Sequence, residues 1–452
     1  MILAILSLLT VLIAQSGAWT PTVQTGLDVL AASNFTQLSG RKVIVLSNPT
    51  GVTASLDLGV DVMFRAEVDL AGVMGPEHGF RGTSQAGSGA GGTFIDPETS
   101  LTVYDAYNAN TTTLVKFITE SGADTVVFDI QDVGARFYTY TWAMYDTLVA
   151  STLCNTTFVV LDRPNPITGL SAFGPILNES YASYVGRRPI AQAHGMTAGE
   201  LATMFVGEGW IQQTAAAFAG NGSSAKSVGD VKLQVIEMTG WERWMSWADT
   251  GLTWVMPSPN MASPITATLY PGTCMFEGTN LSEGRGTVRP FELLGSPFTN
   301  STWSDAMRNL PNPIPNTSFR TACFAPTTSK WLGNTSCGIE VYVDLCSDGR
   351  CSDAGDSRGS HPYETFDPVH LGVSLLSTAR RLFSSQSGNA TSAFQWLYNG
   401  SNSSVYDVDV LSGGPLIREG IEAGMSPDEI KATWTPALEA WKSNVRAKYL
   451  MY

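Results

Sequence analysis

The sequence is poor in basic residues and in charge altogether. Its 452 residues include 26 Lys and Arg against 40 Asp and Glu, so the net charge is −14, and the sequence pI is near 4.7. An acidic surface of this kind argues against nucleic acid and against anionic membranes as partners. Charged residues make up only 15% of the chain and hydrophobic ones 43%, a balance typical of a folded globular protein.

Several catalytic signatures are also missing. The chain has no zincin helix motif, no Walker loop and no Gly-x-Ser-x-Gly elbow. The glycines between 87 and 92 do not join a strand directly to a helix, so they are not a dinucleotide fingerprint. Four histidines and six cysteines without a Cys-x-x-Cys pair argue against zinc. We therefore expect neither a cofactor nor a metal.

Only the N-terminus carries a long hydrophobic run. Ile2 to Ala14 is almost continuously apolar, and Ser16, Gly17 and Ala18 supply a small-residue cleavage site. The run is short for a bilayer span. Residues 1–18 are therefore predicted to be a secretory signal peptide, and the protein is expected to be secreted and extracellular, without membrane association.

Sequons and cysteines point to the same compartment. Asn-x-Ser/Thr occurs twelve times, which suggests a eukaryotic secretory pathway, although several sites will be unused; the sites are Asn34, Asn110, Asn155, Asn178, Asn221, Asn280, Asn300, Asn316, Asn334, Asn389, Asn399 and Asn402. An even number of cysteines in a secreted chain favours disulfides. Local pairs are expected to include Cys323–Cys337 and Cys346–Cys351, although connectivity does not follow from sequence.

Apolar strand-like runs alternate with helical patterns through the first half of the chain. The strand-like runs begin near residues 42, 68, 101, 125 and 157, with helical spacing over 114–121 and 142–153 between them. This alternation predicts an α/β fold with a Rossmann-like parallel sheet. A shift towards Pro, Gly and Asn near 257–260 suggests a catalytic domain over 19–262 and a second, smaller α/β domain over 263–452 that closes the cleft.

Three carboxylates follow strands of this predicted sheet. Glu77, Asp129 and Asp162 each come at or shortly after the end of a strand-like run. Ligands bind outside the carboxyl ends of strands in such sheets, so these side chains are candidates for one site. Each of them has an alternative explanation, because a strand-end carboxylate also caps the next helix or turn.

The turn over 75–82 is dense in chemical groups. Glu77, His78 and Arg81 lie among glycines, of which Gly79 and Gly82 permit unusual backbone angles. Similar turns cover 129–140 and 277–285. Glycoside hydrolysis needs a proton donor and a second group that attacks or stabilises the sugar centre, which carboxylates can supply. The arginines could clamp a substrate carboxylate or could simply form local ion pairs.

Six segments together resemble the exo-β-N-acetylmuramidases of the NamZ type. In order and spacing the resemblance covers about residues 26–452, and it rests on Gly75–Gly82, Phe128–Tyr140, Leu161–Pro166, His194–Ala202, Pro257–Asn260 and Phe276–Asn280. It implies a Rossmann-like domain, a smaller α/β domain, an active site between them, and release of terminal N-acetylmuramic acid from peptidoglycan fragments. It also implies that Glu77 is catalytic, with His78 as its neighbour.

The remaining site residues are inferred from motif position. Asp129 or Asp132 is the expected second carboxylate, and the predicted substrate-binding residues are Arg81, Arg136, Tyr138, Asp162, His194, Asn280 and Arg285. Since a glycan on Asn280 would obstruct the cleft, this sequon is expected to be unmodified. Two alternatives stay open: a glycan-binding protein without catalysis, and an exo-glycosidase for another amino sugar. Retaining and inverting routes both remain open.

Overall fold

The structure is a computed structural model that describes residues 22–82, 87, 89, 91–220, 229–345, 361–384, 393–400 and 402–452. The predicted signal peptide and the predicted Cys346–Cys351 pair lie outside these residues. Within the described ranges, no helix is both long enough and apolar enough to cross a membrane.

A seven-stranded sheet forms the centre of the N-terminal part. The strands of the chain are β1 (Val43–Ser47), β2 (Leu70–Gly75), β3 (Phe94–Ile95), β4 (Thr102–Asp105), β5 (Thr125–Asp129), β6 (Thr157–Leu161), β7 (Phe173–Ile176), β8 (Ala191–Ala193), β9 (Leu233–Ile236), β10 (Leu293–Ser296), β11 (Thr317–Phe324), β12 (Ser336–Val343), β13 (Tyr398–Asn399) and β14 (Asn402–Tyr406). The large sheet has the order β3-β4-β2-β1-β5-β6-β9. Only β3 runs antiparallel to its neighbour.

Helices cover both faces of this sheet, and the chain continues into further helices. They are α1 (Gly26–Ala32), α2 (Gly59–Arg65), α3 (Thr111–Ser121), α4 (Tyr140–Leu153), α5 (Ala198–Gly207), α6 (Trp210–Gly220), α7 (Trp247–Thr250), α8 (Pro264–Thr273), α9 (Thr302–Arg308), α10 (Pro362–Thr365), α11 (Pro368–Phe383), α12 (Asp407–Ser412), α13 (Leu416–Glu422) and α14 (Pro427–Asn444). The central strands are buried on both faces, as their β-branched, uniformly apolar sequences predict.

Local sequence signals start several of these helices. Thr197 caps α5, and Glu200 returns a hydrogen bond to the Thr197 backbone, which confirms the predicted capping box. Ser426 and Glu429 form the same arrangement at α14, with Pro427 at the first helical position. The predicted Rossmann-like α/β fold is confirmed, with a mostly parallel sheet.

The strand order creates a natural crevice beside β1. The chain builds β2 and β4 on one side of β1 and then crosses to place β5 and β6 on the other. Ligands of open α/β sheets bind at such a switch point, outside the carboxyl ends of the strands. Ser47 at the end of β1 lies opposite Asp129 at the end of β5, so the residues after them face this crevice.

The C-terminal part has its own three-stranded antiparallel sheet, in the order β10-β12-β11. Cys323 and Cys337 face each other across β11 and β12 and form a disulfide, which confirms one predicted pair. The close packing of α8 and α11 depends on glycine. A Cβ on Gly272 would lie 2.0 Å from the Pro368 carbonyl oxygen, and one on Gly372 would lie 2.4 Å from the Gly272 carbonyl oxygen.

Candidate active site

Glu77 lies in a tight turn after β2. In this turn His78, Gly79 and Gly82 have φ of +72°, +78° and +74°. The predicted need for left-handed backbone at both glycines is confirmed, and His78 adopts this region although a side chain makes it less favourable. Backbone strain of this kind is common at functional sites.

The Glu77 carboxylate is partly exposed and held from two sides. Thr139 Oγ1 donates to Oε2 at 2.7 Å, and the Gly87 amide donates to Oε1 at 2.8 Å. These bonds join the turn to the start of α4 and to the glycine-rich segment that follows the turn. Glu77 forms no ion pair among the described residues. The groups that hold its carboxylate are therefore neutral hydrogen-bond donors.

Asp132 is the second carboxylate near this turn. It is mostly buried, and its Oδ2 accepts from the Gly134 amide at 2.7 Å while its Oδ1 accepts from Thr141 Oγ1 at 3.2 Å. His194 Nε2 lies 3.5 Å from Asp132 Oδ2. Because His194 Nδ1 accepts from the Met196 amide, the ring proton sits on Nε2 and faces the carboxylate. His194 therefore orients Asp132.

Two tyrosines connect the two carboxylates. Tyr138 and Tyr140 pack edge to face, with ring centroids 5.0 Å apart. Burial raises the pKa of both hydroxyls well above the ordinary value, and the charges of Glu77 and Asp132 raise it further. Both phenols thus stay protonated; the Tyr140 hydroxyl donates to the Pro257 carbonyl, so the Tyr138 hydroxyl is the donor left beside the two acids.

Two buried polar atoms at these tyrosines have no hydrogen-bond partner among the described residues. They are Asn48 Nδ2 and the Tyr138 hydroxyl. The Asn48 oxygen is already occupied, since it accepts from the amide and hydroxyl of Thr50, so its amide nitrogen turns to the Tyr140 side. Buried unpaired donors are costly in a core and common where a ligand supplies the partner.

Asp129, the other expected second carboxylate, lies in a buried ion pair. Arg163 Nε donates to Asp129 Oδ1 at 2.7 Å, and both side chains are almost fully buried. Burial raises the pKa of Asp129, while the Arg163 charge lowers it. Glycines 51 and 59 approach the other carboxylate oxygen so closely that a Cβ there would lie about 3 Å from it. The structure therefore explains Asp129 by the fold and leaves Asp132 as the candidate for the second carboxylate.

Asp162 is fully buried and has no open oxygen. It accepts from the backbone amides of Arg163 and Gly199 and from the hydroxyls of Thr197 and Tyr452. It thus caps α5 and holds the C-terminal tyrosine, which is the structural alternative that the sequence left open. We remove Asp162 from the candidate site.

Burial of Asp162 makes stability depend on pH. Burial raises its pKa from 3.8 to about 6, against the lowering effect of its hydrogen bonds. Since the folded state binds the proton more tightly than the unfolded state, this group stabilises the fold at acid pH, and that stability is lost as pH rises from about 4 to about 6. We expect the wild type to lose on the order of 3 kcal/mol relative to Asp162→Asn between pH 4 and pH 7.

Urea unfolding of both proteins at several pH values measures this difference. Asp230→Asn, at an exposed position, is the matched control and should track the wild type at every pH. A difference between wild type and Asp162→Asn that does not vary with pH would show that Asp162 does not titrate in this range.

The three predicted arginines occupy different environments. Arg81 is tied to Asp61 and Asp96, and its bidentate bonds lower the pKa of Asp96 to about 2. Arg136 is fully buried, and donates only to backbone carbonyls. Both are therefore explained by the fold. Arg285, like Arg81, is partly exposed.

Arg285 lies at the C-terminal side of the tyrosines. It pairs with Glu277 and Glu283, and its guanidinium stands over the Phe291 ring. Phe291 contacts Tyr270 edge to face, and Tyr270 in turn contacts Tyr138 at 5.7 Å. Of the three predicted arginines, Arg285 alone adjoins the aromatic side chains of the candidate site.

Asn280 is used by the fold. Its amide nitrogen donates to the Ala393 carbonyl at 2.8 Å, and its amide oxygen accepts from the Gln395 amide at 2.9 Å. These bonds attach the segment before β13 to the motif loop. Glycosylation of Asn280 would disturb the hydrogen bond from Nδ2 to the Ala393 carbonyl. This bond, rather than obstruction of the cleft, is the structural reason to expect an unmodified Asn280. We remove Asn280 from the substrate-binding set.

Aromatic side chains of the same motif divide between site and core. Trp142 is fully buried and donates to the Arg136 carbonyl, and Phe137 is almost fully buried beside Tyr270.

Within the described residues, no group of three His, Cys, Asp or Glu side chains could hold a metal ion.

Sequence reasoning missed several residues around the two acids. Thr139 and Gly87 hold Glu77, while Asn48 and Ser258 surround the tyrosines. One signal was available for Asn48, because it directly follows a strand-like run. Asp129, which was singled out, lies at the end of another such run. No sequence signal identified the hydroxyl of Thr139 as a carboxylate partner, since its contact spans 62 residues.

Comparisons with known proteins agree along the whole described chain. The model of the N-terminal domain of exo-β-N-acetylmuramidase NamZ matches residues 43–265, and that of the C-terminal domain matches residues 268–452. The peptidoglycan β-N-acetylmuramidase NamZ of Bacillus subtilis (strain 168) is 37% identical over 433 residues, covering 96% of this chain and 92% of that protein.

Two crystal structures of DUF1343 family proteins from Bacteroides fragilis are similar in fold. One has a TM-score of 0.76 at 26% identity and covers 96% of this chain and 100% of its own. The other has a TM-score of 0.66 at 26% identity, with 95% and 99% covered.

Proposed function

The chain belongs to the exo-β-N-acetylmuramidase NamZ family and is a glycoside hydrolase, and we propose that it releases terminal N-acetylmuramic acid from peptidoglycan fragments. The observation that carries this proposal is the Glu77 carboxylate, partly exposed and positioned by Thr139 and Gly87 at the switch point of the sheet. The relative from Bacillus subtilis, whose name states this activity, supports the substrate class.

Glu77 is the proposed general acid. Its carboxyl proton would pass to the glycosidic oxygen of the leaving sugar as the bond to the muramic acid breaks. Asp132, oriented by His194 and Thr141, would act on the opposite side, either on the sugar carbon or on a water molecule. The protonated hydroxyl of Tyr138 would donate to a substrate oxygen beside the two acids, while that of Tyr140 donates to the Pro257 carbonyl.

Arg285 is the proposed partner of the lactyl carboxylate that distinguishes muramic acid from glucosamine. Its position beside Phe291, Tyr270 and Tyr138 supports this assignment. Glu277 and Glu283 hold the guanidinium in place and offset its charge. The substrate carboxylate would therefore compete with Glu277 for the guanidinium N–H groups.

A panel of aryl glycosides tests the function. We expect 4-nitrophenol release from the β-N-acetylmuramide and at least about tenfold lower kcat/KM for the β-N-acetylglucosaminide, because the latter lacks the carboxylate. Preference for the glucosaminide would make the protein an exo-glycosidase for another amino sugar. Binding of muramic acid without turnover of either compound would make it a glycan-binding protein.

We also propose that the protein is secreted and glycosylated. The apolar N-terminal run, the twelve sequons and the Cys323–Cys337 disulfide support this localisation. Peptide mass spectrometry of protein from the culture medium of a eukaryotic host should find a mature N-terminus after Ala18 and an unmodified Asn280. Retention inside the cell, or a glycan on Asn280, would contradict the respective proposal.

A further inference from the structure

A polar pocket of about 390 Å³ opens between the start of α3, α4 and α6. Its wall includes Thr111, Tyr145, Asp146, Arg187 and Thr214. None of these residues takes part in the proposed catalytic step or in the proposed binding of the lactyl carboxylate by Arg285.

The groups in the pocket form a paired set of donors and acceptors. Arg187 Nη2 donates to Asp146 Oδ2 at 2.7 Å, and Arg187 Nε is buried without a partner among the described residues. Arg188 donates to the Tyr145 and Thr214 hydroxyls and pairs with Glu179. Because each arginine has a carboxylate beside it, the pocket is nearly neutral and suits a neutral polar ligand rather than a free anion.

Two partly exposed tyrosines connect this pocket with Glu77. The Arg187 guanidinium stands 5.7 Å from the centre of the Tyr184 ring, and the Tyr107 ring contacts Tyr184 edge to face at 6.0 Å. The glycine-rich segment links Tyr107 to Glu77: the Gly87 amide donates to Glu77, and a Cβ on Gly89 would lie 2.7 Å from Tyr107 Cβ. Burial, and to a lesser extent the Glu77 charge, raises the pKa of both tyrosine hydroxyls. The Asp146 charge also acts on Tyr184 from the pocket side.

We propose that this pocket binds a neutral amino-sugar unit of the leaving glycan, beyond the bond that is cleaved. The inference rests on the proposed function, since it requires Glu77 to be the acid at that bond. A sugar hydroxyl both donates and accepts, so an arginine beside a carboxylate matches adjacent hydroxyls of one ring. The rings of Tyr107 and Tyr184 offer the apolar surface against which the two intervening sugars would pack, so that the neutral third unit of the leaving chain reaches the pocket.

Substrates of different length test the pocket. The wild type should show a lower KM for a tetrasaccharide of alternating N-acetylmuramic acid and N-acetylglucosamine than for the disaccharide, because only the tetrasaccharide reaches past the tyrosines. In Arg187→Met the ratio of kcat/KM for the tetrasaccharide to that for the 4-nitrophenyl muramide should fall about tenfold, through KM.

Two further variants make the outcome decisive. Thr111→Trp fills the pocket from its rim and should lower the same ratio, so it serves as the test if Arg187→Met does not fold. The substitution removes no hydrogen bond of the Thr111 side chain among the described residues. Arg65→Met removes an arginine from an exposed pair with Asp57 and should leave the ratio unchanged.

An unchanged ratio in folded Arg187→Met or Thr111→Trp would overturn the subsite, as would an equal loss on both substrates. Absence of turnover by the wild type on every substrate would instead refute the proposed function itself. The two failures are therefore distinguishable.

Discussion

Glu77→Gln is expected to lower kcat on a muramic-acid disaccharide by about 10² to 10⁴-fold, the usual contribution of a general acid. The sugar alkoxide is a poor leaving group and needs the proton that Glu77 donates. Folding should be retained, because the Gln oxygen can accept from the Gly87 amide while Thr139 Oγ1 accepts from the new amide nitrogen. Initial rates of sugar release and far-UV circular dichroism measure both effects.

The leaving group distinguishes the role of Glu77. On the 4-nitrophenyl muramide the loss in Glu77→Gln should be smaller, because nitrophenolate leaves without protonation. Equal losses on both substrates would contradict the role of proton donor and would indicate a nucleophile or a positioning group instead. Glu237→Gln, at an exposed position after β9, is the matched control and should keep wild-type rates on both substrates.

Arg136→Met is expected to destabilise the fold by on the order of 4 kcal/mol or more. The buried guanidinium donates to the carbonyls of Pro175, Ile190 and Leu411 at 2.8–2.9 Å, and burial lowers the pKa of Arg136 to about 9. Each hydrogen bond from a charged group contributes about 1.5–3 kcal/mol, and methionine leaves all three acceptors unpaired. Urea unfolding at pH 7 measures the loss.

This prediction separates two roles of Arg136. The Leu411 bond joins the C-terminal part to the motif loop of the N-terminal part, and a Cβ on Gly413 would lie only 2.7 Å from Arg136 Nη2. Arg65→Met, in an exposed pair, should change stability by less than about 1 kcal/mol. If Arg136→Met instead unfolds like the wild type but loses substrate affinity, the original substrate-binding prediction is restored.

Sequence alone predicted the fold because its signals are local. Runs rich in apolar and β-branched residues, such as Val43–Ser47 and Thr125–Asp129, form central parallel strands. Capping boxes at Thr197 and Ser426 start helices through contacts only three residues long. The family, and with it the assignment to glycoside hydrolases, followed from extended motifs that need no coordinates.

The position of Glu77 in a special turn also followed from sequence, since Gly79 and Gly82 mark the turn directly, whereas only the structure shows the positive φ of His78. What the sequence could not decide was the partner of each polar side chain. Asp129, Asp132 and Asp162 all follow strands, yet only the tertiary structure shows that the first meets Arg163 and the last meets Tyr452.

Tertiary structure decided these roles because the partners come from distant parts of the chain. Arg136 and Leu411 are 275 residues apart in sequence, and Asp162 and Tyr452 are 290 apart. A carboxylate or guanidinium has the same sequence signature whether it faces solvent, a substrate or a buried carbonyl. Burial and long-range contact distinguish these cases, and for this chain they leave Glu77 and Asp132 as the candidate acids, both near enough to Tyr138 and Tyr140 to raise the pKa of those hydroxyls.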